Sequence, residues 1–540
     1  MSAEEKIFIF DYYSLEGSDL DKWLDNFFWP VSRDTTTQIS LDFFRKHCDL
    51  INYYKHHTFE SDCLLIALGI TKSLIEVTNY SYLIKILEKK GYSIKYNKKL
   101  RLIPMLLGDR ELSFYPDKIF RDKNNTLNLI KLFVKSVIYN FNNKRYFFFS
   151  HFSKNKRLFA FENANVIDRN FTKNNEKWVR LTNLCEWGLS TTDNHESLGD
   201  KEKKIFQEFA NSYLDFIILY THSKFDLELS KDLIEKIYTY IIQTLSNISI
   251  MYKRIIKKIE DKKVGSILTS TAGKTEIRMI SLAIKRLGGE VVGFPHGFYI
   301  SHYSSPRYSF HELATVDKFV SYTSSSKLLM ERNKNINPIP RDNNVTILQD
   351  NSDTLLQRWN KWKNRPLATK INTIMVLELI FVPEGAGFYV PSTMVNYHLY
   401  YNLCKTMTSW GFKVIFKKRP KSLGWDGFNI FKKMPNVEIV DTNFEDDSII
   451  EMADAFMIQY AMSSTLYWTM CTNKTVIYLD GGWEPWFNDV YESMAKRCRV
   501  LPVKYDINNK PTFSKPDLFK ILNKKPETPN TEFLQKYLFP

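Results

Sequence analysis

The chain reads as an α/β protein built from two parallel-sheet halves, with a helical region inside the first. Three observations lead there. Residues 264–297 run strand, loop, amphipathic helix, Gly-Gly stop and strand. Residues 371–480 repeat that alternation several times. Between residues 205 and 258, apolar positions recur at a helical period with few breakers. Strands alternating with helices require crossover connections, and hence parallel sheets. At 540 residues the chain is too long for one core, so two or three domains are expected.

The elements follow in order. Residues 6–10 (Lys-Ile-Phe-Ile-Phe) read as a strand, and residues 64–69 as a buried strand or helix. A helix around 80–90 stops at Gly91 and a strand follows at 92–96. Residues 120–260 read as mostly helical. A strand at 264–268 leads through the loop Thr269-Ser270-Thr271-Ala272-Gly273 into a helix over 274–287, which Gly288-Gly289 ends. The next strand, 291–294, runs into Pro295-His296-Gly297, and another covers 318–322. Polar residues 331–370 read as the connection between halves. The second half restarts with a strand over 371–382, the loop Pro383-Glu384-Gly385-Ala386-Gly387 and a helix over 393–410. Further strands are expected at 414–416, 437–440, 455–458 and 476–479. The boundaries are placed at 1–345 (first domain), 346–370 (linker), 371–520 (second domain) and 521–540 (tail). The first half thus reads as a βαβ unit with a parallel sheet, and the second as a doubly wound domain, whose ligands bind at the carboxyl ends of the strands.

Composition narrows the function classes. Hydrophobic content of 44% and aromatic content of 15% provide for a large core and exclude a disordered chain. A net charge of +15 favours anionic partners: an acidic substrate, an anionic membrane surface or nucleic acid. The lysines lie in short scattered clusters, so a solvated surface competes with a membrane-facing patch. The six cysteines form no CxxC pair and none has a histidine at zinc-ligand spacing, which fits a reducing cytoplasm. Residues 1–6 show no signal-peptide pattern. The longest nearly apolar run, 374–383, contains Glu378 and is too short to span a bilayer. The expected location is cytoplasmic, with peripheral contact at the inner membrane as an option.

Two stretches carry the chemistry. Lys417-Lys418-Arg419-Pro420 follows the apolar strand at 414–416. Pro420 leaves strand pairing, so Lys417 and Arg419 are placed to hold a phosphate, or else form a solvated basic loop. Ser463-Ser464-Thr465 follows the strand at 455–458 and opens a helix. Hydroxyls and free N–H groups there form an anion site, or serve as an ordinary N-cap. In the first half, Glu276 lies in the first turn of a helix, as a base or carboxylate nucleophile, or as an acid complementing the dipole. His296 ends a strand beside Gly297 and either faces ligand or is a satisfied core histidine. Glu384-Gly385 lies in a Gly-rich loop suited to close approach of a nucleotide. Gly273-Lys274-Thr275 copies the tail of a P-loop, but its leading glycine position holds Leu268. Asp480-Gly481-Gly482 matches no metal loop, and no metal is expected.

The pairing of Lys417-Lys418-Arg419-Pro420 with Ser463-Ser464-Thr465 resembles bacterial CMP-sugar transferases of the GT-B type, the sialyltransferases, polysialyltransferases and Kdo transferases of surface-glycan assembly. In that family a Lys-x-His-Pro element holds the CMP phosphate and ribose, and a Ser-Ser/Thr element holds phosphate at a helix start. The departure is Arg419 where the family has His; Arg keeps charge and donors but cannot titrate near neutrality. The resemblance covers mainly residues 264–300 and 370–485. It implies two Rossmann-like domains facing a cleft and transfer of Kdo or a nonulosonic acid from a CMP-sugar to a lipid-linked or oligosaccharide acceptor. It implies no cofactor, no metal and no nucleic-acid partner. A CDP-glycerol-type polymer transferase, or a GT-B enzyme using UDP- or GDP-sugars, is the alternative within enzymes. A polyanion-binding protein is the alternative outside them.

Overall fold

The computed structural model describes residues 6–109, 157–161, 178–181, 197–261, 264–270, 273–337, 339–342, 344–350, 353–377, 384, 392–418, 427–440 and 447–540. Its strands form three sheets. The smallest pairs β1 (Lys6–Ile9) in parallel with β2 (Tyr92–Lys95). Four α-helices lie between them in sequence: Leu20–Asp25, Arg33–Tyr53, Thr58–Ile66 and Gly69–Lys89. Residues 64–66 are therefore helical, which settles the strand-or-helix alternative. Gly91 has φ +72, the left-handed conformation that stops the preceding helix.

The second sheet contains β3 (Arg157–Phe161), β4 (Trp178–Leu181), β5 (Val264–Thr269), β6 (Glu290–Gly293), β7 (Lys318–Ser321) and β8 (Thr346–Gln349). All pair in parallel in the order β4-β3-β5-β6-β7-β8. Helices Asp200–Phe225 and Lys231–Asp261 stand between β4 and β5 and supply the expected helical region. Two readings differ from this. β3 and β4 fall in a stretch read as helical, because strands of four or five residues leave no period to set against a helix. The stretch read as linker begins with edge strand β8 and contains helix Thr354–Trp362. β8 exposes three of its four residues, so its polar composition is that of an edge and resembles a connection. Gly289 ends helix Thr275–Arg286 as expected: a β-carbon there would lie 2.6 Å from the Gly265 carbonyl oxygen.

The third sheet contains β9 (Thr373–Leu377), β10 (Lys413–Lys417), β11 (Val437–Val440), β12 (Ala455–Ile458), β13 (Thr475–Asp480), β14 (Arg499–Tyr505) and β15 (Pro511–Phe513). Its order is β11-β10-β9-β12-β13-β14-β15, with only β15 antiparallel. The first strand, β9, is central; the next two lie on one side and the following four on the other, the last of them antiparallel. That is the doubly wound Rossmann order, with its switch point between β9 and β12. Both strands are almost wholly buried, as a sheet covered on two faces requires.

The fold is thus two Rossmann-like domains, and the chain ties them at several points. Tyr12 stacks on Tyr397 with centroids 5.4 Å apart. His398 Nε2 meets the Leu24 carbonyl at 3.1 Å. Tyr303 forms an isolated antiparallel bridge with Trp486. The last turn, Leu534–Leu538, returns to the first domain, where Thr323 donates to the Tyr537 carbonyl at 3.4 Å.

Candidate functional site

The carboxyl ends of the two large sheets meet. From the first, β6 runs into Phe294-Pro295-His296-Gly297, where only His296 is exposed. From the second, β12 runs into residues 459–463 and then helix Ser464–Met470. A β-carbon at Gly297 would sit 2.9 Å from Ser464 Oγ and 2.4 Å from Tyr299 Cε1. Glycine therefore allows this approach of the loops. Tyr308 also reaches across, its hydroxyl 3.2 Å from Met462 Sδ.

His296 is held on both ring nitrogens. Nδ1 lies 3.0 Å from Glu312 Oε1 and Nε2 lies 2.6 Å from the Tyr299 hydroxyl. The Glu312 side chain is 3% exposed, whereas His296 is 38% exposed. An ionised Glu312 only accepts, so it fixes the proton on Nδ1 and leaves the Nε2 lone pair facing Tyr299. Glu312 lies on a π-helical turn, Ser309–Leu313, the wide turn that often re-aims side chains at functional sites. Its neighbour His311 places Nδ1 3.3 Å from the buried Arg278 guanidinium. Gly273, after β5, packs against the same imidazole: a β-carbon there would be 2.8 Å from His311 Nδ1. Glu276 is half-buried in the first turn of helix Thr275–Arg286.

In the second domain, Lys417 is the last residue of β10 and is buried. Ser463 caps helix Ser464–Met470, its Oγ accepting the Thr465 N–H at 3.2 Å. Ser463, Ser464 and Thr465 are all half-buried. Arg419, Pro420 and Gly385 lie outside the described residues. Glu384 has an unforeseen partner set. Its carboxylate accepts the backbone N–H groups of Arg101 (2.6 Å), Leu102 (2.6 Å) and Ile103 (2.9 Å), capping helix Leu102–Leu106. An acid at a helix start complements the dipole, and here it joins the second domain to the N-terminal segment.

Sequence reasoning missed Glu312, Tyr299 and Glu484. Glu484 is buried, accepting the Ala461 N–H at 3.0 Å and the Tyr478 hydroxyl at 2.9 Å. Burial pushes its carboxyl up to about 7, against the pull of those donors. The available signal was an acid set between Trp483 and Pro485-Trp486 just past a strand end. Gln459, also buried, donates to Asn396 Oδ1 at 3.1 Å and so links the end of β12 to helix Thr393–Ser409. Among the described residues, no group of three metal-ligating side chains occurs and no helix is long and apolar enough to cross a membrane.

Fold and seam together define a two-domain Rossmann-type protein whose strand ends face each other. A similar solved structure is Methanocaldococcus jannaschii UDP-GlcNAc 2-epimerase in complex with UDP-GlcNAc and UDP. It is 12% identical with a TM-score of 0.37, over 69% of this chain and 94% of that one. No protein-family model and no curated protein matches the chain.

Proposed function

We propose that this chain is a glycosyltransferase that moves Kdo or a nonulosonic acid from a CMP-sugar to a lipid-linked or oligosaccharide surface-glycan acceptor. The observation that carries the reading is the apposition of Gly297 and Ser464. It puts a carboxylate-held histidine from one sheet beside a hydroxyl-rich helix start from the other. Nucleotide and acceptor then bind on opposite sides of one seam. The bond from the anomeric carbon to the CMP phosphate oxygen breaks, and its electron pair leaves with CMP. Lys417, Arg419 and the Ser463–Thr465 helix start neutralise that developing charge. The acceptor hydroxyl oxygen bonds to the anomeric carbon while its proton passes to His296 Nε2, which exchanges Tyr299 for the acceptor. Glu312 stabilises the resulting imidazolium. Glu276, in the first turn of helix Thr275–Arg286, is the other carboxylate of the first domain proposed to take the acceptor proton or attack the anomeric carbon. Glu384 caps helix Leu102–Leu106 and so ties the second domain to the N-terminal segment. A net charge of +15 suits an acidic donor and an anionic membrane surface.

The test is product analysis by NMR after incubation with CMP-Kdo, CMP-nonulosonic acids and UDP-GlcNAc in the presence of glycan acceptors. Glycoside formation from a CMP-sugar, lost in His296→Ala, supports the reading. Turnover of UDP-GlcNAc alone overturns the donor assignment.

A further inference from the structure

We propose that Glu484 is a positioning residue that ties the 459–465 loop to the bridge between domains, so that the two strand-end loops order together. The inference uses the donor-site reading above for its binding readout only. Residues 481–487, which follow β13, are pinned from three directions. Arg33 Nη1 donates to the Gly481 and Gly482 carbonyls at 2.9 and 2.6 Å. The Ser304 N–H donates to the Pro485 carbonyl at 2.8 Å, and the Phe487 N–H to the His302 carbonyl at 3.2 Å. Tyr303 and Trp486 bridge between these bonds, with ring centroids 4.5 Å apart. Glu484 sits inside this clasp and points the other way, into the second domain. One carboxyl oxygen takes the buried Ala461 N–H, two residues before Ser463. The other takes the Tyr478 hydroxyl, which Trp486 Nε1 approaches at 3.5 Å. A continuous run of bonds therefore joins Ser304 of the first domain to the loop that leads into Ser463. Removing the carboxyl leaves a buried N–H without an acceptor, which favours local opening of the loop.

The hold needs an acceptor and not a charge. A carboxyl half-protonated near neutrality still offers an oxygen to Ala461, and glutamine offers the same oxygen. That separates positioning from general electrostatics. Tyr478 donates directly to this carboxyl, and Asp480, Tyr303, Tyr467, Tyr491 and Tyr505 interact with it electrostatically.

Amide hydrogen exchange on wild type, Glu484→Ala, Glu484→Gln and Tyr478→Phe decides the matter, with CMP titration alongside. Glu484→Ala is expected to raise exchange about tenfold or more at both 459–465 and 302–304, with β5–β7 unchanged, and to weaken CMP binding about tenfold. Glu484→Gln is expected to restore both to within about threefold of wild type. A rise at 459–465 alone, at neither segment, or an equal effect of Gln and Ala overturns the proposal. Should Glu484→Ala unfold as a whole, Tyr478→Phe gives the reading: a smaller shared rise supports coupling and its absence contradicts it. The exchange result stands whether or not CMP binds, so failure of the donor assignment is seen separately.

Discussion

Gly297 of one domain and Ser464 of the other approach so closely that a methyl group at 297 would fall 2.9 Å from Ser464 Oγ. The same methyl would meet the Tyr299 ring at 2.4 and 2.8 Å. Gly297→Ala should therefore displace Tyr299 or part the seam, costing about 1–3 kcal/mol of stability. Nucleotide affinity should fall about tenfold or more. Differential scanning calorimetry and calorimetric titration check both, and an alanine variant with unchanged affinity contradicts the seam as the binding site.

His296 and Glu312 separate by their kinetics. His296→Ala should lower turnover by roughly 100-fold or more while leaving donor affinity intact. Glu312→Gln should lower it by roughly two orders of magnitude, because an amide can turn its NH2 to Nδ1 and select the wrong tautomer. Steady-state kcat and KM for both variants give the answer. Loss confined to KM would place the pair in binding.

Lys417 is buried at the end of β10, so its replacement should conserve its apolar stem. Lys417→Met is expected to weaken nucleotide binding about tenfold and to reduce its salt dependence. Titrations at low and high ionic strength measure this, and an unchanged salt dependence removes Lys417 from the phosphate site.

Three buried histidines predict acid sensitivity. Burial lowers His47 to about 4, His302 to about 3 and His398 to about 4. The unfolded chain protonates them near 6.5, so below that pH the unfolded state binds more protons and stability falls. Above about 6.5 the effect is absent. At pH 5 each such group costs about 2 kcal/mol. His302→Gln should flatten denaturant midpoints between pH 6.5 and 5 relative to wild type. Parallel slopes for the two proteins would contradict the burial account.

The parts of this fold that were legible are those with local signals. Apolar runs gave β5, β10, β12 and β13, and the Gly288-Gly289 stop gave the helix between β5 and β6. Ser463 was legible as a helix start because a cap is a one-turn feature. Glu312 was not, since its partner His296 is sixteen residues away and its orientation comes from a π turn that no period announces. Glu484 was hidden for the same reason: its acceptor role toward Ala461 spans twenty-three residues, a helix and strand β13. Glu384 shows the converse. A Gly-rich loop suggested a nucleotide, but its carboxylate partners are backbone groups some 280 residues earlier. Short strands β3 and β4 were missed because a few apolar residues beside a long helical pattern read as more of it.

The central claim is that a nucleotide sits where the two sheets' carboxyl ends meet. Calorimetric titration of the full chain with CMP, UMP, GMP and a short oligonucleotide tests it most directly, repeated on Ser464→Trp, which fills the seam. The account predicts saturable one-site binding of CMP that Ser464→Trp abolishes without loss of the folded state. Binding of the oligonucleotide alone, or CMP binding that Ser464→Trp leaves intact, would contradict it.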